Sequence, residues 1–508
     1  MEENLKNNTN LTLVGEYKRP PVDLLGDYAS ARSDPDPDTY SQLTDIFENK
    51  LRDRNVKAHF VKAIKGPTVT LCMIKLEEKC PFSRLASART DLQRWLRSPR
   101  PIAIIPQVDN TDLCGVEIPN AVKEVVGLKE ILSGKEYLEA KGDLIVPLGK
   151  TARGEILVDD LAAMPHALVA GSTGSGKSVF LNVILSGLIY RYSPEEVKLI
   201  LIDLKQVELA PYAGLPHMLL KEPVCSIPEI VNVLKWLREE VVSRFGLFKT
   251  LRIRNINEYN KLESVNKLPR IVLVIDEASE LMSDPYARNT VEATLNSLAR
   301  IARAAGVHMI FATQNPVKSV ITSEIQNNLA TKFAFAVNDF AHSLVILKQK
   351  GAECLLGRGD MYIKKTQDPV RAQCAYVSTA EIDSVVEYVK EHNECTFDDE
   401  EIQRILNGSA LLQSDDKPKK EKDEPDLKWM VLKVIVDTNS VSVSYLQRKL
   451  KKGYNSVVTI LEQLAAEGYI SDIAQGNKEQ RKILISKEDF YAEWETRFGK
   501  YDPDTDGE

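Results

Sequence analysis

The run Gly171-Ser172-Thr173-Gly174-Ser175-Gly176-Lys177-Ser178 has the G-x-x-x-x-G-K-[ST] spacing of a loop that holds phosphate. Its glycines let the backbone curl until N–H groups aim at phosphate oxygens, an approach that a Cβ would obstruct. All eight residues are therefore candidate contacts to ATP. Lys177 is placed to reach the β- and γ-phosphates, and the Ser178 hydroxyl to ligate Mg2+. Further along, the apolar run Ile271-Val272-Leu273-Val274-Ile275 ends abruptly in Asp276-Glu277. Asp276 suits the Mg2+ sphere, directly or through water, and Glu277 suits polarisation of the attacking water. A third apolar run ends in Ala312-Thr313-Gln314, which makes Gln314 a candidate for sensing the γ-phosphate or orienting water. Hydrolysis needs positive charge beyond Lys177 and Mg2+, and many motors take it from a neighbouring subunit's arginine. The helical stretch 295–305 offers Arg300 and Arg303, although surface-helix arginines more commonly make salt bridges.

These groups need a scaffold that brings separate strand ends together. Residues 166–169 read as a buried strand and 179–190 as the helix packed on it, so the loop has its expected context. Apolar strands at 197–202, 271–275, 308–312 and 333–337 alternate with helical patterns across about 156–377, within a motor domain expected at 151–412. That alternation gives an α/β fold with a mainly parallel sheet and phosphate loops at the strands' carboxyl ends. Residues 1–39 are polar and rich in proline and aspartate, and are expected to be a flexible lead-in. Residues 40–150 read as an α+β accessory domain, with a helix at 43–51 and paired strands at 58–64 and 68–74 around Gly66-Pro67. Residues 413–426 are a charged linker of mixed sign.

The segment 427–492 has a different character. Helices at 428–436, 443–451 and 455–466, then strands at 469–473 and 481–485 around Gly476-Asn477-Lys478, describe a winged helix-turn-helix. Residues 493–508 read as an acidic tail. In the third helix Val457, Val458, Leu461 and Leu464 share a core face, which leaves Asn455, Ser456, Thr459 and Glu462 on the opposite one. Such a face suits the major groove, where Asn pairs with adenine and Glu accepts from cytosine. Arg448, Lys449, Lys451 and Lys452 flank it as phosphate contacts, with Lys478 and Arg481 near the wing. A protein-docking winged helix is the competing reading.

Composition narrows the class. The net charge of −7 argues against indiscriminate coating of nucleic acid while allowing local basic surfaces. Seven cysteines without a C-x-x-C pair suggest neither a zinc site nor a disulfide framework, which fits a reducing cytoplasm. The N-terminus lacks signal-peptide character, and no run reaches the ~18 apolar residues that would span a bilayer. A cytoplasmic protein with no membrane segment is expected.

Together these blocks resemble the motor of the FtsK/SpoIIIE family of double-stranded DNA translocases, over about residues 20–490. Met164-Pro165-His166-Ala167-Leu168-Val169-Ala170-Gly171 leads into the loop as in the family. Ile202-Asp203-Leu204-Lys205-Gln206-Val207-Glu208-Leu209 is similar to its IDPK-x-x-EL block, with Leu204 for proline. Arg303-Ala304-Ala305-Gly306-Val307-His308, Ala312-Thr313-Gln314, Val320-Ile321-Thr322, Gly351-Ala352-Glu353, Leu355-Leu356-Gly357 and Gly359-Asp360-Met361 follow in order. The resemblance implies a RecA-like P-loop NTPase core between an N-terminal alpha-like domain and a C-terminal gamma-like winged helix. It also implies a homo-hexameric ring around duplex DNA, Arg303 as the arginine acting in trans, and DNA orientation read by the winged helix, which in the family also contacts a site-specific tyrosine recombinase.

Departures stand beside it. Asn315-Pro316 replaces the family's Arg-Pro, Thr459 stands where an arginine reads DNA, and Phe340 and Leu344 occupy usually basic positions, with Lys318 and Lys332 as compensating charges. Chromosome or plasmid segregation is the expected setting. A conjugative or packaging pump, an ATP-regulated DNA-binding protein and an inactive ring subunit are the alternatives.

Overall fold

In the computed structural model, residues 11–13, 15–28, 37–108, 111–285, 287–408, 427–450, 454–471 and 481–497 are described. The N-terminal region contributes β1 (Leu11–Leu13), then β2 (Ala58–Lys65), β3 (Val69–Leu76), β4 (Ala103–Ile105) and β5 (Leu113–Pro119). Next come β6 (Ile145–Thr151), β7 (Ile156–Asp160), β8 (His166–Ala170), β9 (Val197–Asp203) and β10 (Arg270–Asp276). The last are β11 (Val307–Thr313), β12 (Thr331–Phe335), β13 (Asp360–Lys364), β14 (Val370–Cys374) and β15 (Cys395–Phe397).

The strand that leads into the phosphate loop, β8, is interior to a nine-stranded sheet of order β7-β6-β14-β13-β12-β8-β11-β10-β9. Every residue of β8, β9, β11 and β12 is buried, as expected for strands covered on both faces. Alternate side chains divide between two cores. Ala167, Val169, Val272, Val274, Ile310 and Ala312 pack under the helices Lys177–Arg191 and Thr379–His392. Leu168, Ala170, Leu273, Ile275, Met309 and Phe311 pack under Ile227–Leu251 and Arg288–Ile301.

The sheet is not mainly parallel. β12, β8, β11, β10 and β9 are parallel neighbours, but β7, β6, β14 and β13 join them antiparallel. The links 152–155 and 365–369 are too short for a crossover, so each pair they join must be a hairpin. The expected boundary at 150/151 also fails, because β6 crosses it and belongs to the large sheet. Nothing in composition marks a break near residue 125.

The accessory part is α+β, with an antiparallel sheet of order β2-β3-β5-β4. Its first helix starts earlier than expected, at Pro37–Thr44, and continues as a π-helix over Asp45–Lys50. The described part of 1–39 is not a loose lead-in. β1 pairs with β15, Tyr17 donates its hydroxyl to Ile189 O at 2.9 Å, and Leu25 lies in the main core. Its hydrophobic anchors are too sparse to read as a periodic element.

A buried ion triad joins the accessory sheet to the large one. Arg371 on β14 donates to Glu117 Oε2 on β5 at 2.7 Å, and twice to Asp360 of β13 at 3.0 and 2.7 Å. Beside it the Thr68 hydroxyl donates to Gln373 Oε1 at 2.5 Å, and a Cβ on Gly66 would fall 1.9 Å from Ala152 O.

A second compact unit, 412–508, contains the helices Leu427–Thr438, Val443–Leu450 and Tyr454–Ala466 and an antiparallel bridge between Ile470 and Ile483. The unit does not stop at 492. The helix Lys487–Arg497 brings Phe490 and Trp494 into a core with Trp429, Leu461 and Leu464, so the expected acidic tail begins inside a folded helix. The expected linker 413–426 lies outside the described residues. Among the described residues no helix is long and apolar enough to cross a membrane.

Replacing Arg371 with alanine strands two buried carboxylates. The variant is expected to lose about 3–5 kcal/mol of stability in denaturant unfolding. A loss below about 1 kcal/mol would mean that the triad does not hold the accessory sheet in place.

Candidate functional site

The phosphate loop is shaped by what encloses it. A Cβ on Gly171 would lie 2.5 Å from the Phe335 Cβ, and one on Gly176 would lie 2.5 Å from the Gly359 N. Gly174, at φ +74°, has nothing within 4 Å of its missing Cβ, so that bend borders open space. Ser172 donates its N–H and hydroxyl to Ala336 O, both at 2.9 Å, and the Gly359 N–H donates to Ser175 O at 2.8 Å. The loop is thus clamped between the end of β12 and the turn before β13. The buried Ser175 hydroxyl has no partner among the described residues. The helix Lys177–Arg191 starts without a side-chain cap, so its first N–H groups and its dipole are available to an anion.

Parallel register brings the other groups to this edge. Ala170 is paired with Thr313, and Ile275 with Phe311, so β8, β11 and β10 end side by side. Lys177 and Asp276 are buried and in direct contact through Nζ and Oδ1. Glu277 has left-handed backbone geometry, φ +54°, a strained state for this residue type. Its carboxylate accepts from the Thr313 hydroxyl and the Gln314 N–H, each at 3.3 Å, and from the Ser279 hydroxyl. Burial alone would raise this carboxyl. Hydrogen bonds from Ser279 and Gln314, with the charges of Lys177 and Lys205, outweigh it and hold the group below the usual carboxylate range. Gln314 Oε1 accepts from the Thr173 hydroxyl at 2.8 Å, which bridges the loop to the Glu277 end of the site. Lys177, Ser178, Asp276, Glu277 and Gln314 are thus gathered at one edge of the sheet.

Arg303 is not. It is exposed in the turn between the helix Arg288–Ile301 and β11. Because Met309 pairs with His166, that turn lies at the edge where β8 begins. Burial pushes His166 down to about 4, and the nearby Arg303 charge pushes the same way. The loop follows the other end of β8, roughly 20 Å away for strands of this length. Arg303 therefore cannot complete the phosphate site of its own chain.

Sequence reading missed other groups here. Asp203 closes the 202–209 block by accepting the N–H groups of Lys205, Gln206, Val207 and Leu209 at 2.9–3.2 Å. That frees Lys205 to lie 3.4 Å from Glu277 Oε2 and 3.6 Å from Glu280 Oε1. The loop opens into a cleft of about 740 Å3 whose lining also includes Tyr28, Lys123, Val125 and Tyr376. Burial pushes the Lys123 ammonium down to about 8, while it donates to Leu356 O and Gly357 O at 3.0 and 3.1 Å. Asp203 and Lys205 lie within the 202–209 block, which gave them no role, whereas no local motif announces Tyr28, Lys123, Val125 or Tyr376.

Ser178 and Asp276 offer a hydroxyl and a buried carboxylate, hard oxygen donors that suit Mg2+ sharing phosphate oxygens and waters. Among the described residues no group of three or more His, Cys, Asp or Glu side chains gathers as a cage.

In the winged-helix unit Val457, Ile460, Leu461 and Leu464 form the buried face of the third helix. Val458, expected there, is only half-buried. Thr459 and Glu462 are exposed on this helix, as are Arg448 and Lys449 on the preceding one. Asn455 and Ser456 lie in the first turn of Tyr454–Ala466, with their side chains outside the described residues, as are Lys451, Lys452 and Lys478. Arg481 is bonded to Leu461 O and so braces the helix. In the motor, Phe340 and Leu344 are exposed, with Lys350 5.1 Å from the Phe340 ring centroid. Lys318 is exposed, but Lys332 is buried on β12, which removes it as a compensating phosphate contact.

Three family models match the chain: "FtsK/SpoIIIE family" over residues 127–318, "FtsK alpha domain" over 19–120 and "Ftsk gamma domain" over 422–486. DNA translocase FtsK of Haemophilus influenzae is 35% identical over 491 residues, covering 91% of this chain and 91% of that protein. DNA translocase FtsK of Caldanaerobacter subterraneus is 36% identical over 482 residues, covering 94% of this chain and 65% of that protein. DNA translocase SftA of Bacillus subtilis is 36% identical over 486 residues, covering 94% of this chain and 49% of that protein. The chain thus spans about two thirds of the second relative's length and half of the third's.

Glu277→Gln is expected to leave ATP binding within a few-fold and to slow hydrolysis by about 10²–10⁴. Since Glu277 is held below the usual range, its protonation should leave the rate level between pH 8 and pH 6. A variant that hydrolyses ATP at the parental rate would remove Glu277 from the chemistry.

Proposed function

The chain belongs to the FtsK/SpoIIIE family, and from that premise we propose that it is an ATP-driven translocase of double-stranded DNA, working as a homo-hexameric ring around the duplex. The observation that carries this reading is the division of the hydrolytic site. The loop, Asp276, Glu277 and Gln314 share one edge of the sheet, while Arg303 is exposed at the opposite edge. Copies arranged head to tail would set one chain's Arg303 against the next chain's phosphate loop, a heterologous contact that forms a ring when its rotation closes.

Within such an interface the backbone from Gly171 to Ser178 cradles the phosphates of ATP. Lys177 exchanges Asp276 for a β- or γ-phosphate oxygen as the nucleotide enters. Ser178 and Asp276 would hold Mg2+, which would supply positive charge beside the phosphates. Glu277, kept as a carboxylate by Ser279, Gln314 and two lysines, polarises the water that attacks the γ-phosphate in line. Gln314 bridges Thr173 and Glu277, so it is set to report whether that phosphate is present. Arg303 of the adjoining copy offsets charge on the transferring group, an effect of about 10³–10⁵ in related chemistry.

The winged helix reads the duplex through Asn455, Ser456, Thr459 and Glu462, with Arg448 and Lys449 on phosphates. It is also the unit through which a site-specific tyrosine recombinase would dock. Seven free cysteines fit work in the cytoplasm, in chromosome or plasmid segregation. A second reading, an ATP-regulated DNA-binding protein that does not move, is favoured by exposed Phe340 and Leu344 where cationic contacts to a duplex would be useful.

Displacement of a third strand from long duplex separates the two readings. The full chain with ATP and Mg2+ is expected to displace it, and Lys177→Ala is not. DNA binding that responds to ATP without any displacement would establish the stationary reading.

A further inference from the structure

The phosphate loop is only part of the lining of its cleft. Three apolar or aromatic side chains from segments distant in the chain, Tyr28, Val125 and Tyr376, line it as well. Val125 is 47% exposed and Tyr376 38% exposed, so both offer apolar surface that a ligand could cover.

Their positions are fixed by the fold. Tyr28 and Tyr376 meet edge to face, with ring centroids 5.3 Å apart and planes at 89°. The Tyr28 hydroxyl donates to Glu381 Oε2 at 3.1 Å, and the Gly26 N–H donates to Oε1 of the same carboxylate at 2.6 Å. Glu381 itself closes the capping box of the helix Thr379–His392. The Tyr376 backbone is held on both sides, donating to Val126 O at 2.7 Å and accepting from the Leu128 N–H at 2.9 Å. An ordered aromatic wall and the phosphate loop therefore line the same cleft, in a volume of about 740 Å3 that suits a whole nucleotide.

We propose that Tyr376, backed by Tyr28 and bordered by Val125, is the subsite for the base of the bound nucleotide, a purine stacked against the aromatic wall. The proposal rests on the nucleotide reading of the loop and adds to it the group that is recognised. The flat π-face of a purine covers apolar surface that water now contacts, and a smaller pyrimidine covers less.

The test is calorimetric titration of the full chain with ATP, CTP and inorganic tripolyphosphate, each with Mg2+. The parent is expected to bind ATP more tightly than CTP, and CTP more tightly than tripolyphosphate. Tyr376→Ala should weaken ATP by roughly 5- to 150-fold, the range that base–aromatic stacking spans, and leave tripolyphosphate unchanged. Tyr376→Phe, which keeps the ring, should bind ATP like the parent. Val125→Gln, at an exposed position, gives an independent arm and should weaken ATP selectively in the same way. Equal losses for ATP and tripolyphosphate, or a Tyr376→Ala chain that binds ATP normally, would overturn the base subsite alone. A parent chain that binds neither ATP nor tripolyphosphate would overturn the nucleotide reading and the subsite with it.

Discussion

Three neighbouring parallel strands end at one level, and the site depends on that register. With Ala170 beside Thr313 and Ile275 beside Phe311, the phosphate loop, the Asp276-Glu277 pair and Gln314 cannot avoid one another. The same register sends every preceding turn, including the one that carries Arg303, to the far edge. A parallel sheet therefore has two chemically different rims. Burial on both faces fixes the register, because a one-residue slip would exchange the two cores and expose neither strand's apolar set correctly.

The accessory sheet reaches the phosphate loop through an unbroken chain of polar contacts. Glu117 holds Arg371, Arg371 holds Asp360, and Asp360 accepts the Leu356 N–H at 2.7 Å. The turn so fixed donates the Gly359 N–H to Ser175 in the loop. Removing one partner leaves a buried charge unpaired, so the arrangement resists gradual deformation. This route is a continuous polar connection between the accessory sheet and the loop. The N-terminal segment adds a second tie, since Lys18 and Asn393 exchange hydrogen bonds while Tyr28 reaches the cleft.

Groups that act through neighbours in the chain were legible in the sequence. Gly171 to Ser178 form one continuous segment, and Asp276-Glu277 end an apolar run. What depends on distant partners was not. Tyr28, Val125 and Tyr376 carry no shared spacing, and Glu117, Asp360 and Arg371 look like three ordinary surface charges until folding buries them together. Lys332 was misjudged because a lysine in an apolar strand can turn inward along its aliphatic stem, where burial and then Lys348 and Lys364 lower its pKa. Sheet direction was misread beyond β12 because alternation of apolar residues says nothing of strand sense; only the short links 152–155 and 365–369 did. Trp494 was assigned to a tail because acidic neighbours masked one deeply anchored side chain.

If the catalytic site is shared between copies, mixing two crippled chains measures that sharing directly. Lys177→Ala lacks a working loop and Arg303→Ala lacks the donated charge, so each alone should hydrolyse ATP at no more than a trace rate on long duplex DNA. Mixed and allowed to exchange, the intact loop of one faces the intact arginine of the other at a share of interfaces, and hydrolysis should reappear. A mixture no more active than its two components would contradict the divided site.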